Sequence, residues 1–124
     1  MHVAQIIQLK TFIDNRGCLT VIEKEIPFTI KRIFYIYGVD DSQRAAHRHK
    51  KTIQALICIN GSCHVKNNNG KIKEDFFLNT KTQCLILQPE DWHIVDCFSK
   101  DCILMVLASE YFDENDYIFE NYLN

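Results

Sequence analysis

The 124-residue chain has no long hydrophobic run and no marked excess of either charge. None of its apolar stretches approaches the ~18 residues needed to cross a bilayer. With 14 lysines and arginines against 16 acidic residues, its formal net charge is -2. The overall charge therefore gives no reason to expect nucleic acid or an anionic membrane as a partner. An anionic ligand would need a local cluster of basic side chains.

The six cysteines include no Cys-x-x-Cys pair, which excludes a zinc ribbon. Most of them lie inside apolar runs, as Cys58 and Cys84 do, and this context predicts buried free thiols. The N-terminus has no charged leader followed by an apolar segment. We therefore expect a protein of the reducing cytoplasm.

Glycine and proline are scarce, with four and two residues, and they mark turns between short apolar segments. Gly17 ends a predicted turn at residues 14–17, and residues 67–70 give the clearest hairpin signal. Nine or ten short strands are expected, at residues 3–9, 18–23, 31–37, around 47–49, 52–59, 62–66, 71–78, 83–87, 94–98 and 102–108, the last two paired with each other. Acidic and capping residues predict a single helix at residues 114–123.

Many short strands separated by frequent turns indicate an antiparallel sandwich or barrel. A composition of 47% apolar and 24% charged residues is ordinary for a globular protein, and we expect one domain over residues 1–124. One predicted strand alternates clearly between two faces. Its first face carries Arg32, Phe34 and Ile36, and its second carries Ile33, Tyr35 and Tyr37.

The most informative stretch begins at His47 and His49, which are two residues apart. In a β-strand this spacing places both imidazoles on the same face. Gln54 and Gly61 follow, and about thirty residues later His93 comes after Pro89 and a short loop. Three histidines and a glutamine with this spacing predict a pocket built on strands.

This arrangement resembles the two signature motifs of the cupin superfamily of small β-barrels. The first motif is His-x-His, then Glu or Gln, then Gly; the second is a Pro followed shortly by a His. Metal-binding cupins usually carry Glu at the position of Gln54, and a neutral amide is a poorer ligand for a divalent cation. Gln54 therefore argues against a bound metal and leaves the two histidines free for proton transfer, and we expect no cofactor.

Further segments are similar to a narrower group, the thymidine-diphosphate-sugar (dTDP-sugar) 3,4-ketoisomerases, which act on 4-keto-6-deoxyglucose attached to the nucleotide. The matching segments are residues 14–17, 26–36, 44–51, 56–63, 92–93 and 104–117. Ala45 departs from the glycine that is common in the family. The resemblance implies an all-β, cupin-type antiparallel jelly-roll β-barrel with a short C-terminal helix, a homodimer, and a role in making 3-amino-3,6-dideoxy sugars for surface glycans.

Moving a carbonyl from C4 to C3 requires removal of the C3 proton and delivery of a proton to C4. Histidine suits this task because its pKa lies near neutral. We expect His47 and His49 to form the acid–base pair. Tyr35 is matched to the family as a donor to the enediolate oxygen, and Arg44 is a second candidate for that role.

The phosphates and the sugar need further contacts. Guanidinium groups suit bidentate binding of phosphate, and the chain offers Arg16, Arg32 and Arg44 as a local basic cluster. The candidate substrate or nucleotide contacts are Arg16, Arg32, Gln54, Trp92 and His93.

Three other functions compete with the isomerase. A metal-dependent cupin, such as a dioxygenase, would use His47, His49 and His93 as ligands. A 3,5-epimerase would use one histidine with an acidic partner, as in the related epimerases. A non-catalytic module would bind a sugar nucleotide or another small ligand without exchanging ring hydrogens with solvent.

Overall fold

A computed structural model describes residues 3–124 and folds them into twelve β-strands and one 3₁₀ turn. Two five-stranded antiparallel sheets face each other. From edge to edge, the first sheet contains β1 (Gln5–Gln8), β9 (Gln83–Leu87), β6 (Gln54–Asn60), β11 (Ile103–Ala108) and β4 (Arg32–Tyr37). The second contains β12 (Tyr117–Ile118), β5 (Arg44–His49), β10 (Trp92–Asp96), β7 (Cys63–Asn68) and β8 (Lys73–Leu78). A separate hairpin joins β2 (Thr11–Asp14) to β3 (Gly17–Thr20).

The core lies between the sheets and continues behind the first one. Strand β6 is buried on both faces over its first five residues, as its nearly continuous apolar sequence predicts. Its inward residues join the inter-sheet cluster, whereas Ala55 and Ile57 pack outward beneath Ile26 and its apolar neighbours. Strand β4 alternates between half-buried and exposed residues, which confirms the predicted period of two. The all-β jelly-roll prediction is therefore confirmed.

The predicted pairing of the last two long strands is wrong. Strands β10 and β11 do not pair with each other: β10 pairs with β5 and β7, and β11 pairs with β4 and β6. Residues 97–102 carry the chain from the second sheet to the first. This connection is short, but it is not a hairpin turn. Strand β2 was not predicted.

The helix predicted at residues 114–123 is reduced to one 3₁₀ turn, Glu114–Asp116. Asp113 caps this turn, as its sequence suggests, by accepting the backbone N–H of Asn115 at 3.0 Å. The next residues then pair with β5 as β12. Burial of Asp116 and this pairing override the local helix preference, because tertiary contacts outweigh propensity over one or two turns. No helix within residues 3–124 has the length and apolar character that crossing a membrane demands.

Candidate active site

A cavity of about 210 Å³ opens between the two sheets. Its polar wall is formed by Arg32, Arg44, His47, Gln54, His93 and Tyr117. Apolar side chains, among them Leu56, Leu104 and Val106, complete the lining. Binding sites for drug-sized ligands usually exceed about 300 Å³, so this cavity can receive part of a larger ligand, such as one sugar ring.

Pairing of β5 with β10 brings the histidines together, because His47 lies opposite His93 in the register. Their ring centroids are 5.2 Å apart, and that of His49 lies 5.0 Å from that of His47. The register shifts next to this pair, where Ala45 and Ala46 take positive φ angles of 71° and 62°. The strand therefore bulges immediately before His47, which is a common way to aim a side chain at a site.

His49 is held by a buried carboxylate. It is 5% exposed, and its Nδ1 lies 2.9 Å from Oδ2 of Asp116. Asp116 also accepts the Thr52 hydroxyl and the backbone N–H groups of Lys50 and Lys51. The carboxylate thus fixes the proton on Nδ1 and leaves Nε2 without a proton. Nε2 is buried and has no hydrogen-bond partner in the described chain. A buried nitrogen left free in this way can accept a proton, and His49 lies behind the cavity lining rather than in it.

The three imidazoles are neutral near pH 7. Burial, reinforced by neighbouring His49, lowers the pKa of His47 to about 4. Burial lowers the pKa of His93 to about 3, although its Nδ1 donates to the Asp91 carbonyl at 3.0 Å. Burial also lowers the pKa of His49, and Asp116 opposes that effect. Burial raises the pKa of Asp116, but its hydrogen bonds from Thr52, Lys51 and His49 outweigh this and leave a net decrease.

Two arginines give the cavity its positive charge. Arg32 reaches the wall from β4, with its guanidinium carbon 4.4 Å from the ring centroid of Phe34 and 5.3 Å from that of Phe112. Stacking of this kind fixes the plane of a guanidinium and leaves its edge free for an anion. Arg44 is exposed at the start of β5. Together they form the local basic cluster that an anionic ligand requires.

Besides His49, which lies behind His47, three predicted site residues do not line this cavity. Tyr35, predicted as a donor to the enediolate oxygen, is 63% exposed on the outer face of β4, because the alternation that turns Arg32 inward turns Tyr35 outward. Arg16 lies at the β2–β3 turn, paired with Asp14 at 2.6 Å. Trp92 is on the face of β10 opposite His93 and donates its indole N–H to the Phe119 carbonyl at 3.0 Å.

Sequence reasoning missed the contribution of the C-terminal segment. Tyr117 is not among the predicted site residues, yet it lines the cavity with its ring centroid 4.7 Å from those of both His47 and His49. Asp116 lies at the start of the predicted helix and was not expected to contact His49. The adjacent Asp116 and Tyr117 could have been noticed as polar residues in the last segment that resembles the family, but their contact with β5 depends on the fold.

The donor set of the cavity does not match that of a metal centre. Among residues 3–124, the acidic, histidine and cysteine groups whose ligand atoms fall within 4.8 Å of one another are Cys58, Cys63 and Cys102, and His64, Asp96 and Cys97. His47, His49 and His93 do not form such a group. Gln54, in place of a carboxylate, further weakens this set for a divalent cation.

Comparison with known proteins gives consistent results. Residues 2–123 match the family described as "FdtA: WxcM-like, C-terminal". A TDP-4-oxo-6-deoxy-alpha-D-glucose-3,4-oxoisomerase from Aneurinibacillus thermoaerophilus is 45% identical over 117 residues, which cover 92% of this chain and 84% of that protein.

Two solved structures from Campylobacter jejuni also superpose closely. The TDP-fucose-3,4-ketoisomerase WlaRA has a TM-score of 0.89 at 41% identity, covering 94% of this chain and 89% of its own. The TDP-quinovose 3,4-ketoisomerase WlaRB has a TM-score of 0.92 at 38% identity, covering 97% and 95%.

Proposed function

The chain belongs to the FdtA (WxcM-like, C-terminal) family, and on this basis we propose that it is a sugar-nucleotide 3,4-ketoisomerase. It converts dTDP-4-keto-6-deoxyglucose, the substrate in the name of its Aneurinibacillus relative, to a dTDP-3-keto-6-deoxyhexose. The observation that carries this function is the cavity in which His47 faces His93 and Tyr117, with the His49–Asp116 pair directly behind.

The reaction needs only proton transfers. Loss of the C3 proton leaves an electron pair that forms a C3–C4 double bond and puts negative charge on O4. The hydroxyl proton then moves from O3 to O4, the C3–O3 bond becomes the carbonyl, and C4 takes up a proton. No hydrogen is gained or lost overall, so a redox cofactor is not required by the stoichiometry.

Neutral imidazoles suit both halves of this reaction. A neutral ring accepts the C3 proton, and the imidazolium that forms can return a proton to C4. We assign direct contact with the sugar to His47, because it lines the cavity. His49 is its partner, and Asp116 stabilises the positive charge that His49 acquires when it takes a proton.

Charge on O4 requires donors that are already in place. One such donor contributes on the order of 3 kcal/mol in comparable sites. Tyr117 and one of the two arginines, Arg32 or Arg44, line the same cavity and take this role instead of Tyr35. The arginine that is not used at O4 is available for the diphosphate, and Gln54 and His93 are available for the sugar hydroxyls.

A homodimer forms part of this proposal. Large apolar side chains are exposed on the hairpin and on the outer face of β4: Phe12, Ile13 and Leu19, with Ile33, Tyr35 and Tyr37. Exposed apolar patches of this kind mark protein interfaces. Arg16 remains a proposed phosphate contact, and it requires the hairpin of one subunit to approach the cavity of another.

The competing functions are separated by further observations. A histidine with an acidic partner was expected of the 3,5-epimerases. His49 and Asp116 form such a pair here, so this feature does not distinguish the two activities, and family membership distinguishes them instead.

Cytoplasmic location and the making of 3-amino-3,6-dideoxy sugars for surface glycans stay proposals. The free thiols support a reducing compartment.

The test is incubation of purified protein with dTDP-4-keto-6-deoxyglucose in deuterium oxide containing a chelator, followed by NMR. We expect a 3-keto product with deuterium at C4. A matched reaction in ordinary water, which keeps H4, will report the configuration there through the H4–H5 coupling. Binding of the nucleotide without ring exchange would identify a binding module. Activity that chelator removes and a metal restores would identify a metal-dependent cupin.

A further inference from the structure

Three buried cysteines meet inside the barrel, beyond the floor of the cavity. Cys58 lies in β6, Cys63 begins β7, and Cys102 directly precedes β11. They are 1%, 3% and 3% exposed. All three Sγ atoms lie within 4.8 Å of one another, and those of Cys58 and Cys102 are 3.7 Å apart.

The cluster is a product of the fold rather than of a local motif. Gln54 and Leu56 line the cavity from the inner face of β6, and Cys58 is the next residue on that face. The chain then turns through Gly61, whose φ is +71°, to reach Cys63 in the opposite sheet. A Cβ on Gly61 would lie 2.9 Å from Cys102 Cα, so glycine allows the third cysteine to approach.

We propose that Cys58, Cys63 and Cys102 bind a single thiophilic metal ion, of the class of Cu(I) or Zn(II), through three thiolates. With sulfur–metal bonds of about 2.3 Å, sulfur atoms around one ion lie about 3.8 Å apart in tetrahedral geometry and about 4.0 Å apart in trigonal geometry. The 3.7 Å separation of Cys58 and Cys102 is close to this spacing.

A disulfide explains the arrangement less well. It would join two of the thiols and leave the third without a role, whereas one ion uses all three. The surroundings are apolar, with Leu56 and Leu104 next to the sulfur atoms along their strands. Burying free thiolates there is costly. Hydrogen bonding to Cys58 and burial raise the pKa of Cys63, and burial raises that of Cys102 to about 12, whereas a hydrogen bond with Cys63 lowers the pKa of Cys58 to about 7. Binding of an ion to three thiolates therefore releases protons.

Binding would connect the two sheets, because Cys58 belongs to the first and Cys63 to the second. An ion that binds the folded chain and not the unfolded one raises the free energy of unfolding. The site is separate from the acid–base cluster, and the reaction proposed above does not use it. Protection of the fold is therefore the property to measure.

The test uses the full chain with Cys18→Ser and Cys97→Ser, which removes the two exposed thiols. This parent is titrated anaerobically with Cu(I) and separately with Zn(II) against a chromophoric chelator. We expect one equivalent bound, three sulfur ligands at about 2.3 Å by X-ray absorption for Zn(II), weaker binding at lower pH, and a higher melting temperature.

Two further variants in the same background locate the site. Cys63→Val keeps a side chain of similar volume and should weaken binding by about tenfold or more. Cys84→Ala removes a buried thiol in the separate apolar layer behind the first sheet and should leave binding unchanged.

Three results would overturn the proposal: less than about a tenth of an equivalent bound by the parent, equal affinity in Cys63→Val, or loss of two thiols to a disulfide in the metal-free parent. The sulfur count in the parent decides the question even if Cys63→Val does not fold.

Discussion

Replacing Asp116 with asparagine changes the proton on His49 without changing the shape of the site. Oδ1 of Asp116 accepts the backbone N–H groups of Lys50 and Lys51 at 3.1 and 2.8 Å. These groups cannot turn away, so the amide oxygen of the variant must take this position. Its NH₂ group then faces His49 Nδ1 and the Thr52 hydroxyl, where Oδ2 accepts hydrogen bonds in the native chain.

His49 then has to accept at Nδ1 and carry its proton on Nε2. The nitrogen that serves as base becomes a donor, and no carboxylate stabilises a positive charge on the ring. General acid–base catalysis contributes about 10²–10⁴-fold, so we expect Asp116→Asn to lower kcat by that range with little change in KM. The four hydrogen bonds that Asp116 makes are charge-assisted and become neutral, which lowers the free energy of unfolding by about 3 kcal/mol.

Asp113→Asn is the matched control. Asp113 is three residues away and caps the 3₁₀ turn, a role that asparagine fills equally well. We expect its kcat to stay within about twofold of the native value and its unfolding free energy within about 0.5 kcal/mol.

Steady-state kinetics, denaturant unfolding and ¹⁵N NMR of the His49 ring together test this reasoning. The NMR signal should show the proton moving from Nδ1 to Nε2. A folded Asp116→Asn protein with the kcat of Asp113→Asn, or with the native tautomer, would refute it.

Three other predictions follow from the cavity wall. His47 and His93 have pKa values lowered to about 4 and about 3, so between pH 6.5 and 4 the unfolded chain binds protons that the native chain does not. Stability should therefore fall as the pH falls, by up to about 2.7 kcal/mol per pH unit; equal stability at pH 7 and pH 4.5 in urea unfolding would contradict this. Ala45→Gly should stabilise the chain by about 0.5–1 kcal/mol, because a positive φ strains alanine more than glycine; a lower denaturation midpoint would show that the bulge is not strained. Tyr117→Phe should lower kcat by about 10²-fold, whereas Tyr35→Phe should not change it; equal kcat values would remove Tyr117 from the reaction.

Local patterns predicted much of the fold and part of the site. The two-residue spacing of His47 and His49 and the alternation of β4 follow from strand geometry alone. That alternation already placed Arg32 and Tyr35 on opposite faces, so both could not serve one cavity, and the burial of Arg32 decides between them. The choice of Tyr35 came from resemblance and ignored this constraint.

Contacts between distant parts of the chain could not be predicted. Asp116 is separated from His49 by 67 positions, and it joins the site only because Tyr117 pairs with His49 at the edge of the second sheet. The Cys58, Cys63 and Cys102 cluster likewise depends on two connections that cross between the sheets. Sequence spacing carries no signal for such meetings, because they are set by the order of strands in each sheet.

The central claim is that His47 and His49 carry protons between C3 and C4 of a bound 4-keto sugar. Its most direct test is the rate of solvent deuterium entry into the sugar ring for His47→Asn and His49→Asn at saturating substrate, with dTDP binding measured in parallel. We expect both variants to bind dTDP and to incorporate deuterium at least about 10²-fold more slowly than the native protein. Incorporation at near-native rates in both variants would contradict the account.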